Sequence, residues 1–214
     1  MFSACCAVLH VTLSSPTLND ASWLHDQLHV FSPIFLALTA SSCLVKDKLA
    51  AKDTRWGSNG TTSDDRTPEE KLKGLKPRYT SSTLFVSSDP RNLKEYNDFP
   101  RCINLEAYEF FKKEAHKEGI EIPEQLINHF SGMLAKDIPI VFKHYLEDLE
   151  AEPTDTTLYE LIQGTTWTDV RLKPPPSFDS TLGWRVEFRI SELELKYQHN
   201  VRITHAVQII ARAV

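Results

Sequence analysis

The residues best suited to chemistry lie between Gly183 and Arg189, in the run GWRVEFR. As a strand, this run sends Trp184, Val186 and Phe188 to one face and Arg185, Glu187 and Arg189 to the other, because side chains alternate at period 2. The apolar trio fixes the first face against a core. The second face presents one carboxylate between two guanidiniums. Two readings fit such a row. On an exposed sheet it is a ladder of cross-strand charge pairs. On a ligand-facing sheet it is an anion site, since guanidinium forks suit phosphate and carboxylate, and a carboxylate oxygen suits Mg2+. Upstream, Trp167-Thr168-Asp169-Val170-Arg171-Leu172-Lys173 adds Arg171 and Lys173 on one face. Arg55, next to Trp56, is either a solvated partner of the indole ring or a cation that receives a substrate carboxylate.

These side chains need rigid elements beneath them. Leu9, Val11 and Leu13 alternate with polar neighbours and predict a strand near the start. Ala21, Leu24, Leu28 and Phe31 recur at helical spacing behind a cap at Thr17 or Asn19. Ser32-Pro33 reads as a fresh cap, with a second helix over Ile34 to Ala40. Between Lys52 and Lys71 the only large apolar residue is Trp56, apart from a helix start in the acidic run Asp64 to Glu70. That stretch predicts a polar loop, either a mobile surface loop or one ordered by a ligand. Helices are expected over Leu105–His116, over Glu124–Leu134 and from Pro139, followed by a linker over Glu150–Thr157. A β-rich block follows from Leu158 to Lys196, with Pro174, Pro175 and Pro176 outside any ladder. A weaker helical pattern through Val201, Val207, Ile210 and Val214 ends the sequence.

Composition limits the partners. The 214 residues carry 24 Lys+Arg against 29 Asp+Glu, a formal charge of −5, and no basic stripe, which argues against a nucleic-acid surface. A hydrophobic share of 41% excludes wholesale disorder. The longest apolar stretch, Val30 to Ala40, is too short to cross a bilayer, which needs about 20 residues. Cys5, Cys6, Cys43 and Cys102 have no metal-binding spacing and read as reduced, half-buried thiols. The expectation is a cytoplasmic protein without membrane contact.

In order along the chain stand Asp53-Thr54-Arg55-Trp56, Asp64-Asp65-Arg66-Thr67, Pro77-Arg78-Tyr79, Thr166-Trp167, Arg171-Leu172-Lys173-Pro174-Pro175-Pro176 and Gly183-Trp184-Arg185-Val186-Glu187-Phe188-Arg189. This series resembles the successive motifs of the eukaryotic glutamate–cysteine ligase catalytic subunit, or γ-glutamylcysteine synthetase. The last two motifs together carry the resemblance, which is dense at both ends of the chain and loose between about residues 90 and 155.

The resemblance implies an α+β fold: a mainly antiparallel sheet with packed helices, of an incomplete glutamine-synthetase-like type. It implies one partial catalytic domain over 1–214, made of a strand and helices (1–50), a polar loop (51–83), a helical insert (84–157) and a β-rich block with a terminal helix (158–214). The implied activity is ATP-dependent ligation of glutamate to cysteine, with ATP and Mg2+ required. Matched by motif, Arg55 binds the glutamate carboxylate, Glu187 is a Mg2+ ligand, and Arg189 faces the ATP phosphates. Arg171 and Lys173 lie on the nucleotide side. His10 stands where the family carries a metal-proximal Gln; a lone strand histidine is otherwise a satisfied structural residue. Ile190 replaces a family Pro, and His199 falls on an acidic position. Most metal-binding glutamates of the family belong to an N-terminal part not found here. The chain is therefore expected to be a fragment with unpaired sheet edges and little turnover, acting with a regulatory subunit or the rest of a catalytic chain, or else a non-catalytic relative or fragment that binds nucleotide or a partner chain, or an incomplete gene model with no independent function.

Overall fold

The computed structural model describes residues 7–45, 48–137, 157–177 and 180–214. Cys5, Cys6, the helix expected from Pro139 and most of the expected linker fall outside them.

The fold is mixed helix and sheet, and its centre is a three-stranded antiparallel sheet. Strand β1 (Val11–Ser15) lies at one edge, β7 (Trp184–Phe188) in the middle and β6 (Val170–Lys173) at the other edge. Thr12 and Arg171 both sit opposite Glu187. Lys173 sits opposite Arg185. The period-2 reading of GWRVEFR holds, and β6 stops at Lys173, one residue before the three prolines. On the apolar side Val170, Leu172, Val186 and Phe188 are fully buried. Helix α1 (Leu18–Leu38) covers them with Ala21, Leu28 and Phe35; the Phe35 and Phe188 rings meet edge to face at 5.2 Å.

Helix α1 corrects the expected break at Pro33. Thr17 caps it, accepting from the Asp20 N–H at 3.1 Å, and the helix runs through Pro33 to Leu38. Pro33 has no N–H for the carbonyl one turn back, but burial of Leu28, Ser32 and Phe35 against the sheet holds both halves together.

The segment read as a polar loop is also structured. It contains α2 (Arg55–Thr62) and strand β4 (Tyr79–Thr80), which were not expected, and α3 (Pro68–Leu72), which forms at the helix start expected in the acidic run. Helix α3 has a full capping box between Thr67 and Glu70. Helix α2, RWGSNGTT, has poor intrinsic propensity; burial of Arg55 and Asn59 holds it in place.

Helices α4 (Leu105–Lys117) and α5 (Glu124–Met133) form as expected and pack on each other. The block expected to be β-rich opens instead with helix α6 (Thr157–Gly164) before β5 (Trp167–Thr168), which pairs in parallel with β4. Two short strands, β2 (Leu44–Val45) and β3 (Lys48–Leu49), form an antiparallel pair. The final helix, α7 (Tyr197–Ala213), buries Val207 in the core near α1 and β1. Cys43 and Cys102 are free thiols, but exposed, not half-buried. Among the described residues, no helix is long and apolar enough to cross a membrane.

Candidate anion and substrate site

The polar face of the sheet gathers charge around one carboxylate. Lys173 Nζ donates to Glu187 Oε1 at 2.9 Å. Arg189 Nε lies 3.3 Å from Oε2 and Arg171 Nη1 4.0 Å from the same oxygen. His10 Nδ1 approaches Oε1 at 3.8 Å. The sheet register brings these groups together, with β6 and β7 supplying adjacent residues of one face. Burial works against the charge of Glu187, but the Lys173 hydrogen bond and the positive charges of Arg189, Lys173 and Arg171 outweigh it and hold the carboxyl below its ordinary range. Burial first, then the charge of Arg189, pull His10 down to about 4, so its imidazole is neutral at neutral pH. This is not the exposed charge ladder, because Arg171, Glu187 and Arg189 are all buried.

Beside this cluster is a cavity of about 160 Å³. Arg55 and Asn59 from α2, Tyr79 from β4, Trp167 from β5, and His10 and Arg189 contribute to its walls. Trp56 packs its ring edge to face on Tyr79 at 4.6 Å, so the indole is stacked on a tyrosine and not on its neighbour Arg55.

Arg55 is held by a residue that the sequence reading did not single out. Its Nη1 donates to Glu192 Oε1 at 2.7 Å and to the Ser191 carbonyl at 3.1 Å. Its Nη2 donates to the Arg189 carbonyl at 2.9 Å, which ties it directly to the sheet cluster. Glu192 also accepts from the Arg55 backbone N–H at 3.1 Å. This replaces the cap that the Thr54 side chain does not provide, and places negative charge at the start of α2. Ser42 completes the arrangement with a hydrogen bond to Glu192 Oε2. The Nε atoms of Arg55 and Arg189 remain buried without a hydrogen-bond partner. Both belong to residues that line the cavity.

Asp169 was a second omission. It accepts from the Ser82 N–H at 2.6 Å and lies 2.7 Å from His29 Nδ1, while its carbonyl accepts from the Arg189 N–H at 2.8 Å. This one residue joins α1, the chain after β4, and the cluster. Isolated acidic residues at positions 169 and 192 carried no spacing signal that could have marked them.

For magnesium, the described residues offer one carboxylate of the expected kind. Glu187 fits as a single oxygen ligand, in competition with Lys173, and neutral His10 is a weak partner for so hard a cation. Among the described residues no group of three His, Cys, Asp or Glu could hold a metal ion. The arrangement has the chemistry to receive an anion: buried guanidiniums and an ammonium on a rigid sheet, next to an aromatic-walled cavity.

Sheet, cluster and cavity thus define an α+β domain with buried cations beside an aromatic-walled cavity. Comparison with known proteins supplies the family. The family model described as glutamate–cysteine ligase matches residues 1–214. The glutamate–cysteine ligase of Schizosaccharomyces pombe is 34% identical over 213 residues, which span all of this chain and 30% of that protein. That of Dictyostelium discoideum is 31% identical over 223 residues, all of this chain and 34% of the relative. The glutamate–cysteine ligase catalytic subunit of Homo sapiens is 33% identical over 221 residues, 98% of this chain and 32% of the relative. The chain belongs to the glutamate–cysteine ligase family, and it spans about a third of the length of these curated relatives.

Proposed function

We propose that this chain carries part of the site that joins L-glutamate to L-cysteine in an ATP-dependent ligation, the first step of glutathione biosynthesis, in the cytoplasm. The observation that carries the reading is the convergence of Lys173, Arg171 and Arg189 on Glu187, beside a cavity walled by Arg55. The three-stranded sheet is then part of a glutamine-synthetase-like catalytic fold.

The chemistry requires activation of a poor electrophile. The γ-carboxylate oxygen of glutamate attacks the γ-phosphorus of ATP, the bond to the β-phosphate oxygen breaks, and ADP leaves. The cysteine amine then attacks the carbonyl carbon of the γ-glutamyl phosphate, expels phosphate, and loses a proton as the amide forms. Arg189 is assigned to the phosphate oxygens, whose developing charge a fixed guanidinium stabilises. Arg171 and Lys173 hold the nucleotide side of the face. Arg55 takes the α-carboxylate of glutamate through its unpartnered edge, with Glu192 fixing its orientation. Glu187 would supply one oxygen ligand to a Mg2+ ion accompanying ATP, with His10 a weaker candidate; the ion would neutralise phosphate charge.

The isolated chain is expected to turn over little, because a phosphoryl-transfer site needs several metal-binding oxygens and this one offers a single carboxylate. Further parts of a catalytic chain or a regulatory subunit are the expected partners; the human and rodent relatives are themselves named catalytic subunits. A second reading, a non-catalytic relative that binds nucleotide, is favoured by the same lone carboxylate and by His10 at the metal-proximal position.

ADP release coupled to a spectroscopic assay, with glutamate, cysteine, ATP and Mg2+, tests the proposal. The expected result is ATP binding that is lost in Arg189→Ala, with little cysteine-dependent ADP release. Absence of ATP binding would overturn the site assignment. Robust cysteine-dependent release would overturn the expectation of low turnover.

A further inference from the structure

The β4–β5 pair is a wall with two sides. Tyr79 and Trp167 are register partners and line the small cavity beside Arg189. Arg78, Thr80 and Thr166, displaced by one residue, line a second cavity of about 330 Å³. Thr168 borders both. The far side of the second cavity comes from residues 65–76, 100–102 and the end of α5 with the turn after it. The ligation chemistry assigned above uses none of these residues.

Charge in this cavity is unbalanced. Five cations line it, Arg66, Lys76, Arg78, Arg101 and Lys136, against three carboxylates, Asp65, Glu70 and Asp137. Two of the cations are internally neutralised: Arg66 by Asp64 at 2.7 Å and Arg78 by Asp65 at 2.6 Å. Lys76 and Lys136 make no ion pair among the described residues. Lys76 Nζ donates to Ser81 Oγ at 3.0 Å and to the Ser82 carbonyl at 3.1 Å, and Lys136 Nζ donates to the Lys76 carbonyl at 3.2 Å. Both ammonium groups are half-buried, and burial pulls both below the ordinary lysine range. Each feels negative charge only from a distance, Lys76 from Asp169 and Lys136 from Asp65 and Glu70, and burial outweighs it; Lys76 Nζ also lies 5.2 Å from the Phe99 ring centre. A partly desolvated cation without a direct ion pair costs stability, and an anionic ligand lowers that cost. Two further lining residues hold buried polar atoms without partners, His129 Nε2 and Thr166 Oγ1.

We propose that this cavity is a second anion site, separate from the cluster at Glu187, which takes a small phosphorylated ligand between Lys76 and Lys136. Two lysines meet a phosphoryl group as point charges, each ammonium donating to a phosphate oxygen. The cavity volume accommodates a molecule with one or two phosphates.

Titration calorimetry of the whole chain with sodium pyrophosphate, without divalent metal and at fixed ionic strength, tests the proposal. Saturable binding is expected, weakened about tenfold or more in Lys136→Met and in Lys76→Met, and changed less than about twofold in Lys117→Met, an exposed lysine of α4 that lines neither cavity. Methionine keeps the buried stem, and a thermal melt of each variant reports whether it folds; either folded variant suffices. The His129 ring resonances should shift on titration in the parent chain and not in Lys136→Met. No saturable heat at millimolar pyrophosphate would overturn the proposal. So would equal losses in Lys117→Met and Lys136→Met, which would report an unspecific charge effect.

Discussion

Arg55 and Glu192, 137 residues apart in sequence, form a fully buried ion pair with Nη1 and Oε1 2.7 Å apart. The pair orients one wall of the cavity and starts α2 in the same contact. Removing one partner strands the other in a place water does not reach. Glu192→Ala is therefore expected to cost about 3–5 kcal/mol, and Glu192→Gln less, because the amide oxygen can still accept from Arg55. Urea unfolding of the two variants checks this. A loss under about 1 kcal/mol for the alanine variant would mean that the pair is not the anchor of α2.

Glu187 is the one carboxylate in a ring of cations. Glu187→Gln leaves Arg171, Lys173 and Arg189 without it, which should favour a bare polyanion and remove a metal ligand. ATP affinity measured with and without Mg2+ should show a reduced dependence on the metal. An unchanged Mg2+ dependence would remove Glu187 from the metal's surroundings.

His10 and His129 give the stability a definite acid response. Burial, aided by neighbouring positive charge, holds them at about 4 and about 3, against 6.5 for the ordinary side chain. Between those values and 6.5 the unfolded chain binds protons that the folded chain does not. Stability therefore falls as pH drops through this window, by one proton per histidine. The carboxyls of Asp26 and Asp169 are held below their ordinary value despite burial, chiefly by hydrogen bonds to His25 and to His29, so their contribution is lost at still lower pH. His129→Gln should lower the proton uptake on unfolding near pH 5 by about one. Denaturation midpoints measured across the window give that slope.

Pro33 interrupts a helix that continues through it. Pro33→Ala restores an N–H to the helix interior and should stabilise the fold by roughly 1–2 kcal/mol, the helical gain offset by a looser unfolded chain. A destabilised variant would mean that the proline shapes α1 against the sheet. Thermal melts distinguish the two outcomes.

Much of the site was legible because it obeys a period. The alternation in GWRVEFR fixed which of its residues share a face, and the Arg-x-Lys spacing did the same for Arg171 and Lys173. The polar loop was misread because α2 buries Arg55 and Asn59 in place of apolar side chains, and a hydrophobicity pattern gives no sign of that. The start of α6 was misread as strand, since Leu158, Leu161 and Ile162 suit either element over so short a run. Glu192 and Asp169 escaped notice because their partners are more than a hundred residues away: Arg55 for one, His29 for the other.

The pairing of β1 with β7 has a kinetic consequence. The middle strand of the sheet finds its first neighbour near the N-terminus and its second just upstream, so the polar platform closes only when distant parts of the chain meet. During synthesis β1 emerges well before its partner β7 and waits, unpaired, for the intervening residues to follow. A ribosome-bound chain shortened before residue 184 would lack the middle strand and with it the cluster around Glu187.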